Sequence, residues 1–481
     1  MNKTVKIIIV FAVCLFVSGL LDAQSITWQR LYNNQNYNDN GVDVCAADSG
    51  NFFVVGYSTK AGPDGIDVYI LKLKPNGDTI WTKMIGYQSN TQPFTCTSSD
   101  DGGCVLSGDR DSAFALKINK NGEIVWQKFY GDRFVTIFEI NRTSDGGFIA
   151  CGRIQRSNSD EGYVYKIDSS GNLQWKKIIP SLFIKYLYSI TQENNNFIAA
   201  GCTSDSEISP IDGYLLKLNN TGEIVWEKKY SFMKSSTLIK RIIFRSGSYL
   251  ISGSTLDSTN SFSQTFLSKS DSSGNIMNLR RITYYNNEYL QDFTITKNNK
   301  YIFSSDVDTS SGRNARVYIT DSSGNVIHQK IFSISEYTLL RSILIFPLSN
   351  DIIFAGTFRL STSTNRDIYV VRTDSTLFVK PINVKENQTL PADIKNELYQ
   401  NYPNPFNNNT EILFTINEIS DVSILITDIL GRIIINKYLR MLNSGTYSLK
   451  LNTKDLSSGL YFYSLFVDGK ILKTKSMIVL K

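Results

Sequence analysis

The chain has a single histidine, His328, among 481 residues. A His-based catalytic triad, a His-rich zinc site or a His proton shuttle would each rest on that one position. No G-x-S-x-G, P-loop, G-x-G-x-x-G or H-E-x-x-H sequence occurs. C-x-x-C is also missing, which removes zinc ribbons and thioredoxin-like chemistry. Charge of one sign is lacking too. The 50 basic and 44 acidic residues leave a formal charge of +6, too even for a nucleic-acid footprint. The stretch Asn36–Gly41 imitates a calcium loop but carries Ala47 where the closing Glu belongs, and Asp306-Val-Asp308 is similarly incomplete. No catalytic residue, metal site, cofactor or nucleic-acid partner is therefore expected.

Long apolar runs are nearly absent. The one candidate, Ile7–Leu21, follows Lys3 and Lys6 and precedes Ala23. It falls short of the about 20 residues that a spanning helix needs. Residues 1–23 therefore read as a secretory signal peptide, leaving no transmembrane segment in the mature chain. Cleavage removes Cys14 and leaves Cys45, Cys96, Cys104, Cys151 and Cys202. An odd, sparse set does not make a disulfide scaffold. These cysteines read as buried small hydrophobes, with Cys96 and Cys104 placed to face each other across a hairpin.

What the chain does have is aromatic residues, 12% of the total, with Phe 27 and Tyr 26 against Met 6, a balance that favours strands. It also has a repeat. The segment Asp67–Lys72, Gly77, Trp81 returns as Phe114–Lys117, Gly122, Trp126. It returns again through Lys166, Gly171 and Trp175, through Lys217, Gly222 and Trp226, and through Lys269, Gly274 and Asn278. A sixth copy ends at Gly324 and His328, and a seventh, Tyr369–Asp374, stops before its glycine. Successive positions of the Trp column, 81, 126, 175, 226, 278 and 328, lie 45, 49, 51, 52 and 50 residues apart. Each copy carries an upstream hairpin such as Gly50–Gly56 or Gly102–Gly108, and Asp-Gly-Gly, Pro-Asn-Gly and Ser-Ser-Gly-Asn turns separate the strands. A period near 50 with four short antiparallel strands predicts a propeller blade.

The lone strand Ile26–Tyr32 carries Trp28 and lacks a blade of its own. Placing it on the incomplete seventh copy closes the ring without an open edge. The fold expected for residues 24–379 is an all-β seven-bladed propeller closed by its N-terminal strand. The Trp column is expected to pack between blades, with His328 as a packing substitute. The column Lys72, Lys117, Lys166, Lys217, Lys269 and Arg372 is expected to lay its stems on neighbours and expose its heads. These blades resemble tandem propeller repeats of secreted bacterial proteins with Asp-Gly-Gly and Gly-x-x-x-Trp signatures, a resemblance that implies no enzymatic activity.

Residues 380–397 are polar, contain two prolines and read as a linker. From 398 to 481 a different alternation appears, punctuated by Gly431, Gly445, Gly459 and Gly469, which predicts a small Ig-like β-sandwich. It opens with Tyr402-Pro403-Asn404-Pro405-Phe406-Asn407 and continues through Ile424–Asp428 and Gly431. It ends with Gly445-Thr-Tyr447, Ser458–Tyr463 (with Gly459 and Tyr461) and Lys473-Thr-Lys475 before the terminus. This tail resembles the type A C-terminal sorting domain of the type IX secretion system. Thr427 departs from it where an aromatic is usual, and Asn452 where a Trp-Asp pair often sits. The resemblance implies Sec export, an outer-membrane translocon and the type IX machinery as partner. It also implies removal of the domain and a secreted or cell-surface product.

Two functions stay open for the propeller. One is a binding or scaffold module for an extracellular glycan or protein, using aromatics of the blade-to-blade connections: Phe94, Phe134, Tyr186, Tyr188, Tyr285, Tyr289 and Tyr337, with Phe183 and Tyr284 nearby. The other is a secreted hydrolase acting on polysaccharide with carboxylates at the channel. Clustered Asp or Glu at one channel mouth favours the hydrolase, and apolar and hydroxyl residues favour binding.

Overall fold

The computed structural model describes residues 27–379 and 396–481 except 35–36, 60–64, 87–90, 110–111, 208, 233–235, 257–262, 283–286, 310–311, 333–336, 347–348, 360–364, 402, 408, 417–419, 443–444 and 453–455. The expected signal peptide, Tyr284, Tyr285, Tyr402 and most of the expected linker lie outside the described residues. Chain contacts divide the protein into two compact units, Met1–Lys380 and Pro381–Lys481. Among the described residues the helical content is confined to 3-10 turns, at Asp48–Gly50 and at Phe232. No helix there is long and apolar enough to cross a membrane.

The first unit is all-β and propeller-like. Among the described residues its strands form two eight-stranded and three four-stranded sheets. Each eight-stranded sheet is two groups of four joined by one parallel pair, Asp160 with Ile184 or Arg313 with Tyr337. Seven antiparallel groups of four result. The first contains Asn38–Ala46, Phe52–Thr59, Ile66–Leu73 and Thr79–Ile85 in that order. The seventh contains Tyr337–Ile345, Ile352–Arg359 and Asp367–Thr373, and its fourth member is the N-terminal strand Trp28–Tyr32. Trp28 lies opposite Arg372 just as Trp81 lies opposite Lys72 and Trp126 opposite Lys117. The first group also touches the seventh: a Cβ on Gly41 would sit 2.3 Å from the Gly356 carbonyl oxygen.

Adjacent groups are glued face to face by apolar side chains, for example Phe53, Val55 and Ile70 against Leu106, Phe114 and Leu116. Each such side chain contributes roughly 1.5–3 kcal/mol when fully buried. The Trp column does the same work at the outer strands. Trp28, Trp81, Trp126 and Trp175 donate their indole N–H to carbonyls of Pro75, Lys120, Ser169 and Asn220 in the next group's turn, at 2.9, 3.3, 3.2 and 2.9 Å. Each indole lies under a glycine of that turn. At Gly222, with φ +83°, an added Cβ would meet Trp175 at 2.7 Å. His328 pairs with Ile319 in the register of this column, half-buried. Leu377, with φ 64°, takes the left-handed turn position in the seventh group, and the column residue before it is this smaller histidine.

Two expectations are corrected. The lysine heads are not solvent-exposed. Lys72, Lys166 and Arg372 are buried, and the column, Lys269 excepted, pairs within its own group with the turn between the first two strands. The partners are Asp48, Asp101 at 2.9 Å, Asp145 at 2.9 Å, Glu193 at 2.6 Å and Asp351 at 2.5 Å. A cation buried this deeply needs such a partner, because desolvation otherwise outweighs what packing its stem gains. Cys96 and Cys104 do not face each other either, since Cys96 lies opposite Leu106 and Cys104 opposite Ser98. Cys45, Cys96, Cys104, Cys151 and Cys202 are buried free thiols.

In the second unit, Glu397–Leu398, Asn409–Ile416 and Gly445–Asn452 form one sheet. Ile433–Leu442, Ser420–Asp428, Gly459–Val467 and Lys470–Val479 form the other. Leu398, Ile412 and Phe414 share a core with Ile424, Tyr463, Leu465 and Met477. Glu397, expected in the linker, pairs with Thr415.

Candidate binding site at the channel

Every first strand of the seven groups has a register shift at the same place, between Gly41 and Asp43, Pro93 and Thr95, Ile137 and Glu139, Leu187 and Ser189, Ile239 and Arg241, Leu290 and Asp292, and Leu340 and Ser342. A bulge leaves one residue unpaired and re-aims the side chains beside it. The residues that follow the bulge, Asp43, Thr95, Glu139, Ser189, Arg241, Asp292 and Ser342, line one cavity of about 490 Å³. All seven first strands thus contribute side chains to a single cavity.

This ring is a relay. Six of the seven side chains accept from a backbone N–H of the next group. Asp43 accepts from Cys96 (2.6 Å), Thr95 from Ile140 (3.3 Å), Glu139 from Ile190 (2.5 Å) and Ser189 from Ile242 (3.2 Å). Asp292 accepts from Ile343 (2.7 Å), and Ser342 accepts from Val44 (3.3 Å). Arg241 cannot accept, and there the relay breaks. Its guanidinium instead bonds Asp292 at 2.6 Å and Glu139, two groups away along the ring. Burial pushes both carboxyls above their ordinary values, and Arg241 works against that shift. Burial works against the Arg241 charge, and Asp292 and Glu139 more than offset it.

The bulge residues themselves form a second level toward the beginnings of the first strands, where the blade-to-blade connections gather. Val42, Phe94, Phe138, Tyr188, Lys240, Gln291 and Arg341 line a cavity of about 140 Å³ there. Phe138 lies 6.4 Å from Phe94 and 5.2 Å from Tyr188, ring centre to ring centre. Lys240 Nζ stands 4.2 Å from the Tyr188 ring centre. Burial, reinforced by Arg241 and Arg341, lowers the Lys240 ammonium to about 8. A third cavity, about 680 Å³ beside Trp175 and Phe197, contains the Lys166–Asp145 pair already described.

The sequence-derived aromatics divide. Phe94 and Tyr188 line the mouth. Tyr186 stands 6.0 Å from Tyr188, with Arg153 over its ring and its hydroxyl donating to Asp160 at 2.7 Å. Tyr289 and Tyr337 lie outside that cavity, each beside arginine: Arg313 at 5.4 Å from the Tyr289 ring, Arg366 at 5.0 Å from Tyr337. Phe134 is exposed at φ 69° and joins neither cavity. Tyr285 lies outside the described residues. Sequence reasoning missed Phe138, Lys240, Gln291 and Arg341.

In the second unit, the opening motif clamps the final strand. Phe406 is buried, donates its N–H to Ile478 (3.1 Å) and accepts from Leu480 (2.8 Å). The Asn404 side chain accepts from the Ile478 N–H at 2.8 Å, and Pro403 accepts from Thr410 at 2.8 Å. Pro405 and Asn407 are exposed. Gly431 closes a turn at φ +74°, Gly445 and Gly459 begin strands, and Tyr461 donates to Ser457 at 3.1 Å. Lys473 pairs with Glu397 at 2.5 Å, while Lys475 lies opposite Tyr463.

Residues 400–480 match the secretion system C-terminal sorting domain family, so the tail is a type IX sorting domain and the protein is a secreted or cell-surface one. No curated protein matches the chain. Among solved structures, a polysaccharide lyase, the ulvan lyase bound to -[GlcA(1-4)Rha3S]-, is 12% identical with TM-score 0.49, covering 72% of this chain and 96% of its own. A Dyadobacter fermentans protein of unknown function is 10% identical with TM-score 0.43, covering 73% and 98%. One of unknown function from Bacteroides caccae is 10% identical with TM-score 0.41, covering 63% and 97%. Likeness at this level carries no argument about activity.

Proposed function

We propose that the mature protein is a closed seven-bladed β-propeller that binds an extracellular glycan or protein at its channel mouth. One observation carries this reading. The bulges present Phe94, Phe138 and Tyr188 together with Lys240 and Arg341 at one mouth, while the carboxylates behind them are already engaged. An acid–base pair needs one carboxyl free to give a proton and another to take one. Asp43, Glu139 and Asp292 each accept a backbone N–H, and two of them hold Arg241. On this reading the protein is a binder rather than a hydrolase. A glycan and protein array probed with the mature chain tests this. Hits should weaken about tenfold or more in Phe138→Ala and Tyr188→Ala, the loss expected when one buried aromatic anchor of a ligand site is removed. Hits unchanged in both variants would move the ligand elsewhere.

The export route follows from the two ends. Residues 1–23 direct Sec export, 398–481 engage the type IX machinery, and the linker 380–397 is where the tail is removed. Tyr402, Pro403, Asn404, Pro405, Phe406 and Asn407 act in sorting, and Asn404 and Phe406 among them pin the last strand. Deleting Leu398–Lys481 should trap a folded propeller in the periplasm. Fusing linker and tail to an unrelated Sec-exported reporter should bring that reporter to the surface. A tail-less protein that still reached the surface would overturn the route.

A further inference from the structure

We infer that the mouth takes an anionic sugar residue of a polysaccharide, with the aromatic side of the ring stacking its C–H face and Lys240 and Arg341 holding its carboxylate or sulfate. The inference deepens the mouth-binding reading and rests on it. Its basis is an asymmetry. Going round the bulges, Phe94, Phe138 and Tyr188 occupy three successive groups, and Lys240, Gln291 and Arg341 occupy the next three. One half of the mouth is apolar and planar, the other cationic.

The cations are not spent on the protein. Every lysine or arginine of the outer column whose contacts are described has a carboxylate partner, except Lys269. Lys240 and Arg341 form no ion pair among the described residues, although both lie near enough to Asp306 to oppose its burial. Asp306 itself is held by Arg313 at 3.2 Å and by the Gln291 amide at 2.9 Å. Half-burying an ammonium without a carboxylate is costly, and an anionic ligand removes that cost.

The two halves together favour sugar over other anions. An acidic peptide side chain offers charge without a flat apolar face, and inorganic phosphate offers no face at all. A uronate or sulfated sugar offers both on one ring. The cavity of about 140 Å³ suits a single residue rather than a folded partner. Aromatic–arginine pairs recur outside it at Tyr289 with Arg313 and at Tyr337 with Arg366, which gives a longer chain places to continue.

The test uses the mature chain, polygalacturonate, alginate and a sulfated galactan, each beside its carboxyl-reduced or desulfated counterpart, by calorimetry. At least one acidic polymer should bind, and its neutral counterpart about tenfold or more weaker, since a charge-assisted contact is worth roughly that much. Lys240→Met and Arg341→Met should each lose about tenfold and flatten the salt dependence. Tyr188→Ala should lose binding while Tyr188→Phe keeps it, and melting curves confirm that each variant is folded. Affinity should fall above about pH 8 as Lys240 discharges among Arg241, Arg341, Asp306, Cys202 and Tyr188, and should not do so in Lys240→Met. Neutral polymers binding as tightly at the mouth would overturn the charge assignment and leave the mouth reading standing. Acidic binding indifferent to all these variants, or no binding to any polymer, would overturn both for glycans.

Discussion

At the outer strands one residue type returns group after group, Trp28, Trp81, Trp126, Trp175 and Trp226. At the bulges, in equally strict register, Val42, Phe94, Phe138, Tyr188, Lys240, Gln291 and Arg341 share little beyond position. Both sets come from the same repeat, so the difference lies in what each side chain meets. An indole at the outer strand meets the next group's turn glycine and carbonyl, a neighbour that repeats, and the partner dictates the residue. A bulge residue meets the channel, where nothing repeats. Packing fixes the first set and leaves the second to be chosen for chemistry.

Removing the strand Trp28–Tyr32 attacks the packed side most severely. It strips the buried Trp28 and the 2.5 Å bond from Tyr369 to Gln29, and it leaves Asp367–Thr373 as an open edge. The loss should exceed about 5 kcal/mol, a large part of a domain's net stability, and an unchanged urea midpoint would show the strand to be dispensable. On the channel side, Arg241→Ala strands two buried carboxylates and should cost about 3–5 kcal/mol. Adding Glu139→Gln and Asp292→Asn should recover much of it in the same titration.

Gly171→Ala and Gly146→Ala separate packing from backbone strain. Both glycines have positive φ, +76° and +80°, but the new Cβ meets Trp126 at 3.0 Å in the first and nothing within 4 Å in the second. Each should cost about 1–2 kcal/mol for the left-handed backbone, and Gly171→Ala more; equal costs would mean the indole simply moves aside. The smallest effect is at Lys240, where burial lowers the ammonium pKa from 10.5 to about 8. Between those values the unfolded chain binds the proton and the folded one does not, so stability should rise with pH from about 8 to about 10.5. The penalty is present in full below pH 8. Lys240→Met should be slightly more stable there and lack that rise.

The same contrast explains what could be read in advance. The period, the turns and the pairing of the N-terminal strand with the seventh copy were legible because they reflect contacts between repeats, and Trp28 facing Arg372 is the register that the other copies predict. The tail was legible through its opening motif, in which Asn404 and Phe406 turn out to hold the last strand. The ion-paired lysines were half legible. Their column was visible, but the partners sit in a turn some twenty residues earlier and change between Asp and Glu. The mouth was read only in part, because its residues look like unrelated strand positions. A signal for it did exist in Gly56, Gly108, Gly152, Gly201, Gly253 and Gly356. On each of these a Cβ would overlap a carbonyl of the first strand, as close as 1.8 Å at Gly201 and Tyr186. Such glycines mark the bulge, and counting across from them leads to the channel. In the sixth group Ser305 stands there opposite Leu290.

The strand that completes the seventh group comes from the other end of the chain, and Gln29 and Tyr369 meet across 340 residues. An exported chain therefore carries its first-made strand unpaired until the last group has been made. Closure is the longest-range event in its folding and the slowest to be rewarded. Because the two ends of the ring lie in one strand pair, the starting point is arbitrary to the finished structure. A circular permutant that joins them and opens between two other groups would keep every contact while changing which strand has to wait.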